Sequence, residues 1–242
     1  MKLKVIGTGS QGNCYILKPE QGTPLIIECG TQFNKVKEYL NFNLNGVEAI
    51  VSHVHGDHFK YASQFLQSGV NVYALKETFE AVGLENHHRA KYIEANKAFN
   101  IGEFKILPFE VKHDVPTLGF LINHKESGNI LFLTDTMYSP YKFKDLNNIL
   151  IEANYCPEIA KNKLSEMEFL RNRVLQSHMS INTCIDLLKE NDLSKVNNIV
   201  LIHLSDTNSN EVEFVNRVKK ATHKTTYAAS NGMEIMLNKT PF

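Results

Sequence analysis

Four potential metal ligands lie within six residues of this chain, in the segment His53-Val54-His55-Gly56-Asp57-His58. The segment follows the apolar run 47–51, so it stands where a strand should end. Three imidazoles and a carboxylate crowded there are unfavourable without a partner, because buried polar groups lose their water. A pair of divalent metal ions is the simplest partner, and a solvated turn is the alternative. Histidines at i and i+2 share one side of an extended segment, whereas Asp57 and His58 point elsewhere after the Gly56 turn, so one cluster can serve two neighbouring ions.

Three further candidates, His113, Asp135 and His203, each come directly after an apolar, strand-like run. Taken singly, each could be an ordinary polar residue at a strand end. Together with the first cluster they predict two sites, one of His53, His55 and His113 and the other of Asp57, His58 and His203. Asp135 is predicted to bridge the two ions. Nitrogen and oxygen ligands without thiolate suit zinc, manganese or iron, and the sequence does not choose among these metals.

The overall composition limits the functional class. The 242 residues include 26 basic and 26 acidic side chains, so the formal net charge is zero. That balance argues against a broad basic surface for duplex nucleic acid, although a local basic groove is compatible with it. The chain shows no secretory apolar region and no stretch of the ~18–20 apolar residues that a membrane helix needs, so we expect a cytoplasmic protein without membrane contact. The oligomeric state is left open, a homodimer included.

Other potential ligands are expected to play structural roles. The four cysteines form no C-x-x-C pair and are expected to be reduced, with Cys14, Cys29 and Cys184 as buried small hydrophobes. The remaining histidines are predicted in solvated loops or at the surface: His87, His88, His124 and His223.

Apolar periodicity predicts short strands that alternate with helical segments. Strands are predicted at 3–6, 14–17, 25–27, 47–51, 70–74, 104–108, 118–122, 130–133, 149–151, 199–202, 225–228 and 234–237. Helices are predicted at 34–40, 59–67, 77–82, 165–176, 181–191 and 211–220. No linker-like tract divides the chain, so we predict one domain over residues 1–242. Its expected architecture is a layered α/β fold with sheets inside and helices outside.

The order of the candidate ligands resembles the metallo-β-lactamase superfamily over nearly the whole chain. The matching residues are His53-x-His55-x-Asp57-His58, followed by His113, Asp135 and His203. The resemblance implies an αββα sandwich with a dinuclear metal site at one edge, between the two sheets. Finer motifs are similar to the WalJ (YycJ) group and, more distantly, to tRNase Z and PhnP-type phosphodiesterases: Gly9-Ser10-Gln11-Gly12-Asn13-Cys14, Leu133-Thr134-Asp135-Thr136, Ser177-His178-Met179-Ser180, and Ile202-His203-Leu204-Ser205 followed by Asn208.

Two positions depart from the pattern of these relatives. Glu28 precedes Cys29-Gly30, where relatives usually carry Asp in an Asp-x-Gly turn that supports the metal-binding loop from behind. The longer acid leaves the role of that position open. The stretch 153–156 after Glu152 also differs from relatives that often carry a histidine there.

The expected chemistry is hydrolysis by a pair of metal ions. Two ions about 3.5–4 Å apart can clamp a phosphodiester, and a metal-bound hydroxide would be the nucleophile because coordination lowers the pKa of water towards ~7. Asp57 is predicted both to ligate and to orient that nucleophile. The resemblance to tRNase Z implies a Glu152–His178 pair that protonates or stabilises the leaving oxygen. An ordinary residue near a helix start is the alternative for His178, and a surface or capping acid for Glu152.

The sequence therefore predicts a metal-dependent phosphodiesterase or exonuclease that acts on nucleic acid or a nucleotide. A polymer and a small diester both stay open as substrates. Hydrolysis of a carboxylic ester, lactone or thioester is the main alternative, and a non-enzymatic binding protein is a second one. The first motif is shared by the ester-hydrolysing branches, and the Glu152–His178 pair is what favours phosphodiesters. Seven basic residues could form a local track for a nucleic acid: Lys60, Lys76, Lys91, Lys161, Lys163, Arg171 and Arg173.

Overall fold

Short strands with alternating apolar side chains build two sheets that pack face to face. The structure is a computed structural model that describes residues 1–163 and 177–240. Each sheet has seven strands. The helix predicted at 165–176 lies outside the described residues.

The first sheet has the strand order β14-β1-β2-β3-β4-β5-β6. Its strands are β1 (Lys2–Gly7), β2 (Cys14–Lys18), β3 (Leu25–Ile27), β4 (Glu48–Ile50), β5 (Asn71–Ala74), β6 (Ala90–Tyr92) and β14 (Glu234–Met236). The pairs from β14 to β3 are antiparallel, and those from β3 to β6 are parallel.

The second sheet repeats this pattern, in the order β13-β12-β11-β10-β9-β8-β7. Its strands are β7 (Phe99–Ile101), β8 (Phe104–Val111), β9 (Thr117–His124), β10 (Gly128–Leu133), β11 (Leu146–Glu152), β12 (Asn198–Ile202) and β13 (Thr225–Ala228). The pairs from β7 to β10 are antiparallel, and those from β10 to β13 are parallel. Each sheet therefore has a parallel half, whose strands end at one edge.

Three apolar cores separate four layers. The core between the sheets takes one side of each strand, for example Leu3 and Val5 from the first sheet and Phe120 and Phe132 from the second. The outer face of the first sheet packs on α1 (Phe33–Tyr39), α3 (Ala62–Gln67) and α4 (Lys76–Glu80). The outer face of the second sheet packs on α6 (Ile181–Lys189) and α7 (Glu211–Thr222). Two short helices, α2 (Gly56–Phe59) and α5 (Pro157–Lys163), complete the described helices. The predicted αββα sandwich is confirmed.

Several boundaries differ from the prediction, and the causes are tertiary. The predicted helix 59–67 is wrong at its start, because Lys60 and Tyr61 separate α2 from α3. The strand predicted at 104–108 continues to Val111, since it pairs with β9 along its whole length. Strands β6 and β7 were not predicted, because three-residue edge strands carry too little periodicity to be recognised. Among the described residues, no helix is long and apolar enough to cross a bilayer.

His124 is not at the surface as predicted, but is only 1% exposed. It ends β9, where its ring packs on Phe104 at a centroid distance of 4.7 Å and its Nδ1 accepts the backbone N–H of Glu126 at 3.2 Å. Burial lowers the pKa of His124, which favours the neutral ring that this packing requires. The predicted exposure of His88 and His223 is confirmed, as is the burial of Cys14, Cys29 and Cys184.

Candidate metal centre

The ends of four parallel strands bring the candidate ligands to one edge of the sandwich. The cluster 53–58 follows β4 of the first sheet, while Asp135 follows β10, Glu152 ends β11 and His203 follows β12 of the second. Asp135 and His203 both have left-handed backbones, with φ of 46° and 53°. Such conformations are costly for residues other than glycine and concentrate at functional sites. Both sheets thus direct polar groups to the same edge.

The backbone of the cluster is fixed by the turns before it in the chain. Asn13 donates its backbone N–H to the Asp57 carbonyl at 2.7 Å, and Cys29 donates to the His58 carbonyl at 2.8 Å. Gly30 approaches so closely that a Cβ atom there would lie 1.7 Å from the Asp57 carbonyl oxygen. Only glycine fits at that position, which explains the Cys29-Gly30 pair in the sequence.

The Asn13 side chain closes its own turn and also reaches the cluster. Its Oδ1 accepts the N–H of Gly9 at 3.0 Å and the hydroxyl of Tyr15 at 3.1 Å. Its Nδ2 lies 3.1 Å from His58 Nε2 and donates to Asp57 Oδ2 at 3.4 Å. The glycine-rich turn therefore acts mainly as a support for the cluster.

His53, His55 and His113 form the first predicted triad, and the structure brings them together. His113 Nε2 lies 3.2 Å from His55 Nδ1, and the His53 ring lies 4.7 Å and 5.0 Å from the other two. His113 donates Nδ1–H to the carbonyl of Ser177 at 2.9 Å, which leaves Nε2 as the ligand atom. Buried His53 Nε2 has no hydrogen-bond partner among the described residues. An orphaned buried nitrogen at this point fits a metal ion.

Asp57, His58 and His203 form the second predicted triad. His203 Nε2 lies 2.9 Å from Asp57 Oδ2, and His58 Nε2 lies 3.3 Å from the same oxygen. Asp135 Oδ2 lies 2.6 Å from His58 Nε2 and 3.9 Å from His53 Nε2. The Asp135 carboxylate therefore stands between the triads, in the position of a bridge. Each triad has candidate ligand atoms within 4.8 Å of one another.

The electrostatics of the cluster favour cations. Burial acts to raise the pKa of the Asp135 carboxyl, but the His203 and His58 imidazoles outweigh burial and hold it well below its usual range. Burial lowers the pKa of His53 well below its usual range. Burial also lowers the pKa of His203, but Asp135, Asp57 and Glu152 raise it to about 9. Ionised carboxylates and imidazole nitrogens in one buried group are the donor set that divalent ions use.

Glu28 lies behind His58, at the position where the resemblance implies an aspartate. Its side chain is fully buried, and Oε1 lies 3.4 Å from His58 Nδ1. The two carboxylate oxygens accept the backbone N–H of Ser52 at 3.3 and 3.4 Å, and the Glu28 backbone is left-handed with φ of 71°. The longer acid is thus accommodated by its backbone conformation, and it contacts the cluster from behind.

The Glu152–His178 pair is present as the resemblance implied. His178 Nδ1 lies 2.7 Å from Glu152 Oε1 and 2.9 Å from Asp135 Oδ1, and its ring stacks on His203 at 5.3 Å. Glu152 is fully buried and accepts the N–H of Met179 at 2.9 Å, so the surface-acid alternative is wrong. Burial lowers the pKa of His178, but Glu152 and Asp135 raise it to about 10. Ser180, not His178, caps the following helix.

The cavity in front of these residues has a volume of about 340 Å³ and is open to solvent. His55, Asp57, His178 and His203 line it, and so do Ser10 and Ser205. Asn208 instead braces the loop, because its backbone N–H donates to Ser205 Oγ at 3.2 Å. Most of the residues that line the cavity have polar side chains, and they include the candidate proton donor His178.

Two residues at the site were missed by the sequence analysis. Asn154 donates from Nδ2 to the carbonyl of His203 at 2.9 Å and lies 3.1 Å from His203 Nδ1, so it supports that ligand. Asp114 lines the cavity, with Oδ1 3.0 Å from His113 Nε2 and 3.3 Å from His55 Nε2. Asp114 could have been recognised from the sequence, because it directly follows the candidate ligand His113. An acid in that position can reach the same metal ion.

Replacing Asp114 with asparagine should weaken metal binding by about 10–100-fold, since carboxylates beside histidine ligands contribute effects of that size. Competition with a chromophoric chelator on metal-free protein measures the affinity without any substrate. Asp186→Asn, on the exposed face of α6, is the matched control. Equal affinities for Asp114→Asn and wild type would show that Asp114 is only a surface acid.

Comparisons with known proteins agree with this geometry. A family model described as the beta-lactamase superfamily domain matches residues 27–204. A ribonuclease Z of Metallosphaera sedula is 26% identical over 151 residues, which cover 54% of this chain and 51% of that protein. The chain thus spans about half the length of this curated relative.

Two solved structures show the same fold at low sequence identity. The metallo-beta-lactamase fold protein YhfI from Bacillus subtilis superposes with a TM-score of 0.75 and 16% identity, covering 97% of this chain and 98% of that one. The short form of human tRNase Z superposes with a TM-score of 0.64 and 17% identity, covering 98% and 99%. At these identities the likeness is one of fold alone.

Proposed function

Because this chain belongs to the metallo-β-lactamase superfamily, we propose that it is a dinuclear metal-dependent hydrolase that cleaves phosphodiesters of nucleic acids or nucleotides. The observation that carries the proposal is His178, held 2.7 Å from buried Glu152 beside the two triads. An imidazole fixed in this way supplies a proton donor at the edge of the cavity, in addition to the groups that would hold metal ions. The relative named ribonuclease Z supports the same reaction class.

The proposed ligands are His53, His55, His113, Asp57, His58, His203 and, as the bridge, Asp135. Two divalent ions at these residues would acidify a bound water and offset the negative charge that grows on a phosphodiester. The metal, whether zinc, manganese or iron, and the choice between polymer and small diester stay open. A cytoplasmic location also remains a prediction.

The residues of the chain divide the remaining tasks. Glu152 keeps a proton on His178 Nδ1, which leaves Nε2 as the atom that exchanges a proton with the leaving oxygen. Asp57 reaches the cavity with its carboxylate and is held by His203 at 2.9 Å, so its orientation is fixed before substrate arrives. Glu28, Asn13 and Asn154 keep the ligands in place through the contacts described above.

Hydrolysis of bis-p-nitrophenyl phosphate tests this function on protein reconstituted with Mn²⁺ or Zn²⁺. We expect metal-dependent turnover that falls by at least about 100-fold in Asp57→Ala, because that variant loses both a ligand and an orienting group. Asp186→Asn should behave as wild type. Absence of turnover in protein that carries two ions would contradict the proposal and favour an ester, lactone or thioester hydrolase. For a polymer substrate, affinity should fall as salt concentration rises.

A further inference from the structure

An apolar cleft adjoins the catalytic cavity and shares Gly56 with it. The cleft has a volume of about 260 Å³, and its walls are Val54, Phe59, Val82 and Leu84. Gly56 lines both the cleft and the catalytic cavity. The two spaces are therefore neighbours that share the backbone of Gly56 at the start of α2.

No side chain fills the space at Gly56. A Cβ atom built on Gly56 would meet no other atom within 4 Å, and the backbone there is helical. The conformation does not require glycine, so the missing side chain leaves space that a bulkier residue would fill. The open space lies between His55 and Asp57, directly beside two of the proposed ligands.

The charge at the cleft suits an anionic substrate. Lys60 lines the cleft and forms no ion pair among the described residues. Two other members of the predicted basic track are engaged, since Lys76 pairs with Glu80 at 2.7 Å and Lys91 donates to the carbonyl of His88 at 3.0 Å. Arg171 and Arg173 lie outside the described residues. The Lys60 ammonium lies 5.5 Å from the centroid of the Tyr61 ring and keeps its charge for a phosphate next to the cleft. Apart from Lys60 and Ser63, the side chains that line the cleft are apolar.

We propose that this cleft binds the nucleobase next to the scissile phosphodiester, with Lys60 at a neighbouring phosphate of the substrate. This inference rests on the proposed phosphodiesterase function. A volume of about 260 Å³ is below the range of pockets that enclose drug-sized ligands, so it suits one ring system. An exposed apolar side chain such as Val82 can pack against the face of any base, because every base has a π-face. The substrate class is therefore a nucleotidyl diester with weak preference for the base.

Two esters with the same leaving group test the cleft. Thymidine 5′-(p-nitrophenyl phosphate) and methyl p-nitrophenyl phosphate differ in one ester group, which is a nucleoside in the first and a methyl group in the second. We expect kcat/KM to be at least about tenfold higher for the thymidine ester, which corresponds to ~1.4 kcal/mol. Equal kcat/KM values would contradict the assignment of the cleft as a nucleobase site. Turnover of the methyl ester would still support the proposed phosphodiesterase function.

Substitution of Val82 tests whether the preference for the thymidine ester arises in the cleft. Val82 is 48% exposed in a turn after α4, so Val82→Glu should fold normally while it places a carboxylate at the cleft. The thymidine preference should disappear, and turnover of the methyl ester should be unchanged. Val212→Glu is the matched control, because Val212 is 72% exposed on α7 and outside the cleft. A preference that survives in Val82→Glu would overturn the assignment.

Two further experiments measure the contribution of Lys60 to KM and the affinity of the cleft for a nucleotide. Lys60→Gln should raise KM several-fold for a 5′-phosphorylated thymidine dinucleotide, whereas Lys105→Gln, at an exposed position of β8, should not. Titration calorimetry of manganese-loaded protein should show tighter binding of thymidine 5′-monophosphate than of methyl phosphate, and Val82→Glu should remove the difference. This difference in affinity tests the cleft as a nucleobase site even if neither ester is hydrolysed. Absence of hydrolysis would contradict only the proposed function, whereas equal affinities in the wild type would contradict the assignment of the cleft.

Discussion

Replacing His178 with alanine should slow hydrolysis of a thymidine dinucleotide by about 10²–10⁴-fold without loss of bound metal, the range typical of a positioned proton donor. The leaving group of a dinucleotide is an alkoxide, which departs slowly unless it is protonated. p-Nitrophenolate is stable as an anion and needs no proton. The same variant should therefore retain most of its activity on p-nitrophenyl esters, so that the ratio of the two rates reports the proton transfer itself.

Metal content separates this role from that of a ligand. Asp135, Glu152, His178 and His203 offer atoms within 4.8 Å of one another, so a metal ion at His178 is also compatible with the geometry. If His178→Ala loses an ion, or loses activity equally on both kinds of ester, the proton-donor role is contradicted. Glu152→Gln should reproduce the leaving-group dependence in weaker form. His223→Asn is the control, because His223 is exposed at the C-terminal cap of α7 and asparagine tolerates its left-handed backbone, with φ of 57°.

The convergence of the candidate ligands was predictable because these residues stand at the ends of strands that the sequence itself indicates. His53, His55 and His58 stand in one short motif, and Asp135 and His203 follow apolar runs that could only be central strands. The carboxyl ends of parallel strands in a sheet meet at one edge, so residues placed there converge once the pairing is parallel. The sequence could not show that pairing, which the resemblance to a known superfamily supplied.

The remaining features depend on packing that no local pattern encodes. His124 is buried because the end of β9 folds against Phe104, although its neighbours in sequence are polar. Asn154 reads as a loop residue, and its contact with His203 joins positions 49 residues apart. Glu28 was recognised as a departure, but its left-handed backbone and its contacts with Ser52 and His58 follow from the fold. Residues that support a candidate ligand are therefore harder to predict from the sequence than the candidate ligand itself.

Metal binding should also raise thermal stability strongly, and Asp135 should control most of the gain. An ion present at 1,000 times its Kd stabilises the folded state by ~4.1 kcal/mol. For a chain of this size, 1 kcal/mol shifts Tm by about 2–4 °C, so one saturating ion should raise Tm by about 8–16 °C. Differential scanning fluorimetry with and without Mn²⁺ or Zn²⁺, after removal of metal with a chelator, measures the shift.

Asp135→Asn is the informative variant because it changes charge with little change of shape. Asparagine tolerates the left-handed backbone at this position, where φ is 46°, so the metal-free variant should fold. Without the carboxylate that stands between the triads, the metal-induced rise in Tm should fall to less than half of the wild-type value. Asp186→Asn should keep the full rise. If Asp135→Asn also keeps it, the triads bind their ions independently and Asp135 is not the bridge.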